Sequence, residues 1–173
     1  MPTKLPSIII GAAVYAVLSV LITVVSQSGG LTAQTIGGCA VCLAALAGPL
    51  VAVWHYTSTH SLTIPAGSGA GIGAGAGALG GVLSGIITLV LQAVNVLPNA
   101  EEQIARTRAM LLEQGVDPAQ VEQQMAMTSG FTSNPAVGIV VAVVIGAVVG
   151  ALAGAIGASV FKKAEPRLDD PLA

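Results

Sequence analysis

Between Lys4 and Glu101 the sequence contains no Asp, Glu, Lys or Arg, and none appears again between Glu122 and Lys162. A water-facing surface of that extent cannot be built without charge, because ordinary soluble domains carry roughly 25% charged residues. Here 8% of the 173 residues are charged and 54% are hydrophobic. The chain is therefore restricted to folds that a bilayer accepts. In lipid every backbone N–H and C=O must be bonded within the protein, and uninterrupted apolar runs meet that demand as helices.

A helix rising about 1.5 Å per residue needs about 20 apolar residues to cross a hydrocarbon core of roughly 30 Å. Four runs satisfy this length: 5–25, 36–56, 71–96 and 137–161. The expected architecture is an all-α integral membrane protein. It forms a single membrane domain over 1–173, with four transmembrane helices and a helical polar insert at 99–134 between the third and fourth. The first run, Leu5 to Val25, exceeds the apolar stretch of about 7 to 15 residues found in cleaved signal peptides and reads as a retained span. Within the insert, Asn99 with Glu102 makes a helix start, Gly115 a stop, and Asp117-Pro118 a second start. Ile104, Leu111 and Leu112 give the first short helix a partial apolar stripe, and Val121 and Met125 give the second a weaker one. Such a hairpin either lies on the membrane surface or serves as a solvated connector.

Net charge is −2, which leaves no basic footprint for nucleic acid. Lys and Arg beside spans are retained on the cytoplasmic side. With four spans both termini share a side, and that side holds Lys4, Lys162, Lys163 and Arg167, whereas the insert holds Arg106 and Arg108. The count places the termini in the cytoplasm and the 99–134 insert in the periplasm or exterior.

The segment "GSGAGIGAGAGALGG" at 67–81 is the most unusual local composition. Gly75, Gly77 and Gly80 spell G-x-G-x-x-G, but no strand precedes them and no acidic residue follows at the spacing a dinucleotide site requires. Spacing gives a better account. Gly69, Gly73, Gly77, Gly81 and Gly85 recur every fourth residue, and Gly146, Gly150 and Gly154, followed by Ala158, repeat the pattern in the last span. Helices in lipid gain little from hydrophobic association, so small residues at this spacing mark faces on which backbones approach closely. Glycine inside a helix costs about 1 kcal/mol relative to alanine in water, which packing must offset. The stripes are able to pair within one chain or between copies.

Other chemistry is sparse. Cys39 and Cys42 form C-x-x-C, the pattern of a thiol–disulfide couple. They are the only two cysteines, so there is no second pair to relay electrons, and two small apolar side chains between helices is the simpler reading. His55 and His60 do not share a helix face, no carboxylate lies nearby, and Cys39 to His55 spans about 24 Å along a helix, too far for one tetrahedral zinc. Trp54 and Tyr56, with His55 between them, read as an interfacial aromatic anchor. The span interiors lack acids and strong bases, which argues against a proton relay or an ion-driven rotor. No G-x-S-x-G elbow is present. No catalytic, cofactor-binding or metal-binding residues are expected.

"LLEQGVDPAQVEQQMAMTSGF" followed by "NPAVGIVVAVVIGAVVGALAGAIGASVFKK", together with "AVWHYTSTHSLTIPAGSGAGIGAGAG" at the junction of the second and third spans, resembles a bacterial membrane family, domain of unknown function 4199 (DUF4199). The resemblance implies four spans, a polar insert rich in Glu and Gln before the last one, and a glycine-rich finish ending in lysines. It implies no activity and no catalytic residues. This chain differs from that pattern in the denser glycines of its third span and the fewer charges in its insert.

The resulting expectation is a non-enzymatic structural or accessory subunit of the bacterial inner membrane. Its partners are the lipid bilayer and either further copies of the chain or a larger membrane complex. Two rivals remain: a channel-forming homo-oligomer gated at an apolar constriction, and a membrane thiol redox protein working through Cys39 and Cys42.

Overall fold

The computed structural model describes residues 3–28, 31–132 and 135–161. Six helices follow in order: α1 (Leu5–Ser28), α2 (Leu31–His60), α3 (Ala66–Ala93), α4 (Ala100–Glu113), α5 (Pro118–Thr132) and α6 (Pro135–Val160). Among the described residues, α1, α2, α3 and α6 are long and apolar enough to cross a bilayer. The protein is an all-helical, multi-pass membrane protein.

The four spans pack as a rhombus. α3 and α6 share the most extensive interface, α1 lies against both α2 and α3, and α6 also touches α2. α2 and α3 meet across the short diagonal, which leaves α1 and α6 at opposite corners without mutual contact among the described residues. Chain direction alternates between successive spans, so α3 and α6 run antiparallel, as do α1 and α2.

Helix boundaries depart from the apolar runs, and the backbone explains why. α2 continues beyond Tyr56 to His60 because the Thr57 hydroxyl donates back to the carbonyls of Val53 and Trp54, both at 3.0 Å. A polar residue is thus satisfied without leaving the helix. Ser61, with φ +52°, ends it. Pro65 then opens α3 five residues earlier than the apolar run suggests, its carbonyl accepting from the amides of Ser68 (2.9 Å) and Gly69 (3.1 Å). At its other end α3 stops at Ala93, not at 96. Asn95 turns left-handed there, with φ +57°, a conformation asparagine tolerates better than most residues. The amides of Val96 and Leu97 fold back onto the Leu91 carbonyl at 2.9 and 3.2 Å.

The insert forms the helical hairpin α4–α5. The Asn99 side chain accepts from the Glu102 amide at 2.8 Å, Gly115 takes φ +77° between the helices, and the Asp117 carboxylate accepts from the Ala119 amide at 2.7 Å. An exposed ion pair, Arg108 to Glu122, joins α4 to α5. Val121 of this hairpin is buried, at 1% exposure.

Side-chain size is distributed as a lipid solvent would have it. Small residues fill the interior: Ala12, Ala16, Ala44, Ala52, Ala76, Ala153 and Ala158 are all buried. Large aliphatics face outward, among them Leu21, Leu43, Val148, Leu152 and Ile156, each more than half exposed. In water this arrangement would forfeit most of the available hydrophobic burial, whereas in a bilayer the outward side chains are already solvated and close backbone packing becomes the main attraction.

Candidate functional site

The dominant constellation is the α3–α6 seam. A Cβ built at Gly77 would overlap the carbonyl oxygen of Gly146, at Gly73 that of Gly150, and at Gly69 that of Gly154. The relation is reciprocal: Cβ positions at Gly146, Gly150 and Gly154 overlap the carbonyls of Gly77, Gly73 and Gly69. Gly69 also leaves room for Ala158, whose Cβ would stand 2.5 Å from a side chain there. Gly81 faces the Ala142 carbonyl (2.9 Å from the Cβ position) and Gly85 faces Ile139 (3.1 Å), so the seam loosens toward the insert end. Each glycine of the three reciprocal pairs points the hydrogen that replaces its Cβ at a partner carbonyl, which is the geometry of weak Cα–H···O bonds worth about 0.5–1 kcal/mol each. The two glycine stripes thus meet inside one chain, in antiparallel register.

Isolated glycines make a second set of close approaches that spacing does not reveal. Gly11 of α1 sits 2.6 Å, measured from its Cβ position, from both the Ala52 Cβ and the Gly48 carbonyl, and Gly48 sits equally close to the Tyr15 Cβ. Gly80 leaves the space that the Tyr15 ring occupies, and Gly157 lies against Leu50 and Val53 of α2. Gly11 and Gly48 have no glycine three or four residues away, and Gly80 and Gly157 fall off the fourfold stripes, so that period does not announce them. The signal that could have found Gly11 and Gly48 is a lone glycine within an otherwise bulky span.

At the end of the bundle that carries the N-terminus, α1 and α2 bring polar groups together. Ser7, 2% exposed, hydrogen-bonds through its hydroxyl to Nδ1 of His55 at 2.9 Å. His55 therefore turns inward instead of joining an outward-facing aromatic belt. Trp54 projects outward and is 52% exposed, as an anchor would be, whereas Tyr56 is buried at 3% and meets His60 edge-on with ring centroids 5.0 Å apart. Of the two residues expected as anchors, Trp54 is exposed and Tyr56 is buried. Tyr56 belongs instead to a core cluster with Val53, Ile64, Ile72 and Ala158, flanked by Ile8 and Phe161. Ser7 and His55 form a partly buried cross-link between helices.

The thiol of Cys42 is free and lies on an exposed face of α2. The side chain of Cys39 lies outside the described residues, as do Lys162, Lys163 and Arg167. Among the described residues no three His, Cys, Asp or Glu side chains converge in a way that could hold a metal ion.

A family profile described as protein of unknown function (DUF4199) matches residues 8–163. Neither the curated proteins nor the solved structures provide a match.

Proposed function

The chain belongs to the DUF4199 family of proteins of unknown function, and from that premise we propose that it is a non-enzymatic accessory or scaffolding subunit of the bacterial inner membrane. The observation that carries this reading is the reciprocal fit of Gly69, Gly73 and Gly77 with Gly154, Gly150 and Gly146. A face that would otherwise recruit another helix is consumed inside the chain. What the bundle offers outward is a surface of large aliphatic side chains and the α4–α5 hairpin, which suits a part that stabilises or spaces neighbours. The same fit argues against a conducting path between α3 and α6, because opening one would separate backbones in contact along several turns. Lys4, Lys162, Lys163 and Arg167 beside the termini, set against Arg106 and Arg108 in the insert, support cytoplasmic termini and an exterior hairpin.

The test is to purify the protein from native membranes by mild extraction, identify what accompanies it, and record from planar bilayers. Co-purification of a stoichiometric membrane partner, with electrically silent bilayers, supports the accessory role. A homo-oligomer that conducts would overturn it in favour of the channel, and loss of a redox phenotype in a Cys39→Ser, Cys42→Ser double variant would overturn it in favour of a thiol enzyme. Orientation is read separately by labelling single cysteines placed at Glu101 and Ser58 with an impermeant reagent.

A further inference from the structure

Between the end of α1 and the first turns of α4 lies an open cavity of about 400 Å³, whose lining combines the apolar Val24, Val96 and Leu97 with the polar Asn95, Glu102 and Arg106. Its walls are fixed by the chain reversal after α3. The left-handed Asn95 folds the backbone back, and the Pro98 carbonyl then accepts from the side-chain amides of Gln92 (3.3 Å) and Gln103 (3.0 Å), tying the start of α4 to the end of α3. Glu102 and Arg106 are four residues apart and so project from one face of α4, about one turn from each other. A Glu four residues before an Arg ordinarily pairs with it. Here the ion pair among the described residues is Arg108 with Glu122, and Glu102 and Arg106 instead present opposite charges separately to the cavity.

We propose that this cavity seats the headgroup of a zwitterionic phospholipid bearing a primary amine, with its phosphate on the Arg106 guanidinium and its ammonium on the Glu102 carboxylate. Guanidinium binds phosphate through a two-pronged set of hydrogen bonds, and a primary ammonium donates to a carboxylate as a quaternary one cannot. The source is the membrane and not a soluble phosphate ester, because half of the lining is apolar. Its neighbours in the chain, Leu21 and Val25 on α1 and Val94 after α3, are all more than half exposed, as side chains facing lipid would be. The cavity also lies where two spans end, at the depth of headgroups.

The experiment reconstitutes the full chain in nanodiscs containing equal parts of phosphatidylethanolamine, phosphatidylcholine and phosphatidylglycerol, then measures by native mass spectrometry which lipid stays bound. Phosphatidylethanolamine should be enriched over both others. Glu102→Gln should reduce its preference over phosphatidylglycerol by about tenfold, the scale of one charge-assisted hydrogen bond, and Arg106→Gln should weaken retention of all three lipids. Glu101→Gln, on the same helix but outside the cavity lining, should change nothing; circular dichroism and size confirm that each variant is folded. Equal retention of the three lipids, or unaltered selectivity in both cavity variants, overturns the proposal. Displacement of bound lipid by millimolar soluble phosphoethanolamine overturns the membrane source.

Discussion

Gly77 and Gly71 lie on the same helix yet should respond oppositely to an added methyl group. At Gly71 a Cβ meets nothing within 4 Å, so Gly71→Ala only removes backbone freedom and should stabilise by up to about 1 kcal/mol, less in lipid than in water. At Gly77 the same methyl would overlap the Gly146 carbonyl oxygen and stand 2.6 Å from its carbon. Relief requires α6 to withdraw by about 1 Å, and a gap of that size forfeits a quarter to a half of each dispersion contact it opens. Because the helices are stiff, the loss extends to the neighbouring pairs at Gly73 and Gly81. The penalty should be about 1–3 kcal/mol after the gain in helix propensity, the range typical of overpacked interiors. The two alanine variants therefore differ by roughly 1–4 kcal/mol. Equilibrium unfolding in mixed micelles, followed by helicity and by Trp54 fluorescence, measures the difference. Gly77→Leu should prevent assembly altogether, while Leu89→Ala, at a position 37% exposed, should be mild. Equal stability of Gly77→Ala and Gly71→Ala would refute the reasoning.

Three further outcomes are expected. Ser7→Ala leaves Nδ1 of His55 without its partner and should destabilise the bundle by about 1 kcal/mol, seen as a lowered midpoint in the same unfolding assay. Asn99→Ala removes the cap of α4 and should cost about 1 kcal/mol; hydrogen exchange should show faster opening confined to the hairpin and the reversal after α3, with the spans unaffected. Cys42→Ser, at an exposed position, should shift stability by no more than about 0.5 kcal/mol and leave any cellular phenotype unchanged.

The spans were legible because lipid imposes a uniform demand that a run of apolar residues either meets or fails. The ends were less so, since Thr57, Ser61, Pro65 and Asn95 decide them through individual backbone bonds and turns that hydropathy does not see. The fourfold glycine spacing made two faces visible, but period alone does not say which face meets which, and a stripe suits a neighbour in the same chain as well as a second copy. Trp54, His55 and Tyr56 illustrate a different limit. Their sequence reads as one aromatic belt, yet successive residues on a helix point about 100° apart, so one can look out only if the others look elsewhere. Ser7 was unreadable as a partner of His55 because nothing local connects two residues on separate spans.

The seam between Gly77 and Gly146 joins α3 to a helix made much later, α6. On the ribosome α3 is finished well before α6 exists, because the whole α4–α5 hairpin is made in the interval. α1 and α2 are already available, so a partly built three-helix assembly has to hold a glycine-rich helix whose closest mate is still unsynthesised. Wrong company at that stage would be hard to undo, since any small-faced helix nearby could dock there first. Assembly thus carries a timing requirement, and a nascent chain arrested before Pro135 should leave α3 open to crosslinking from position 73 or 77, with that reactivity vanishing once α6 is released into the bilayer.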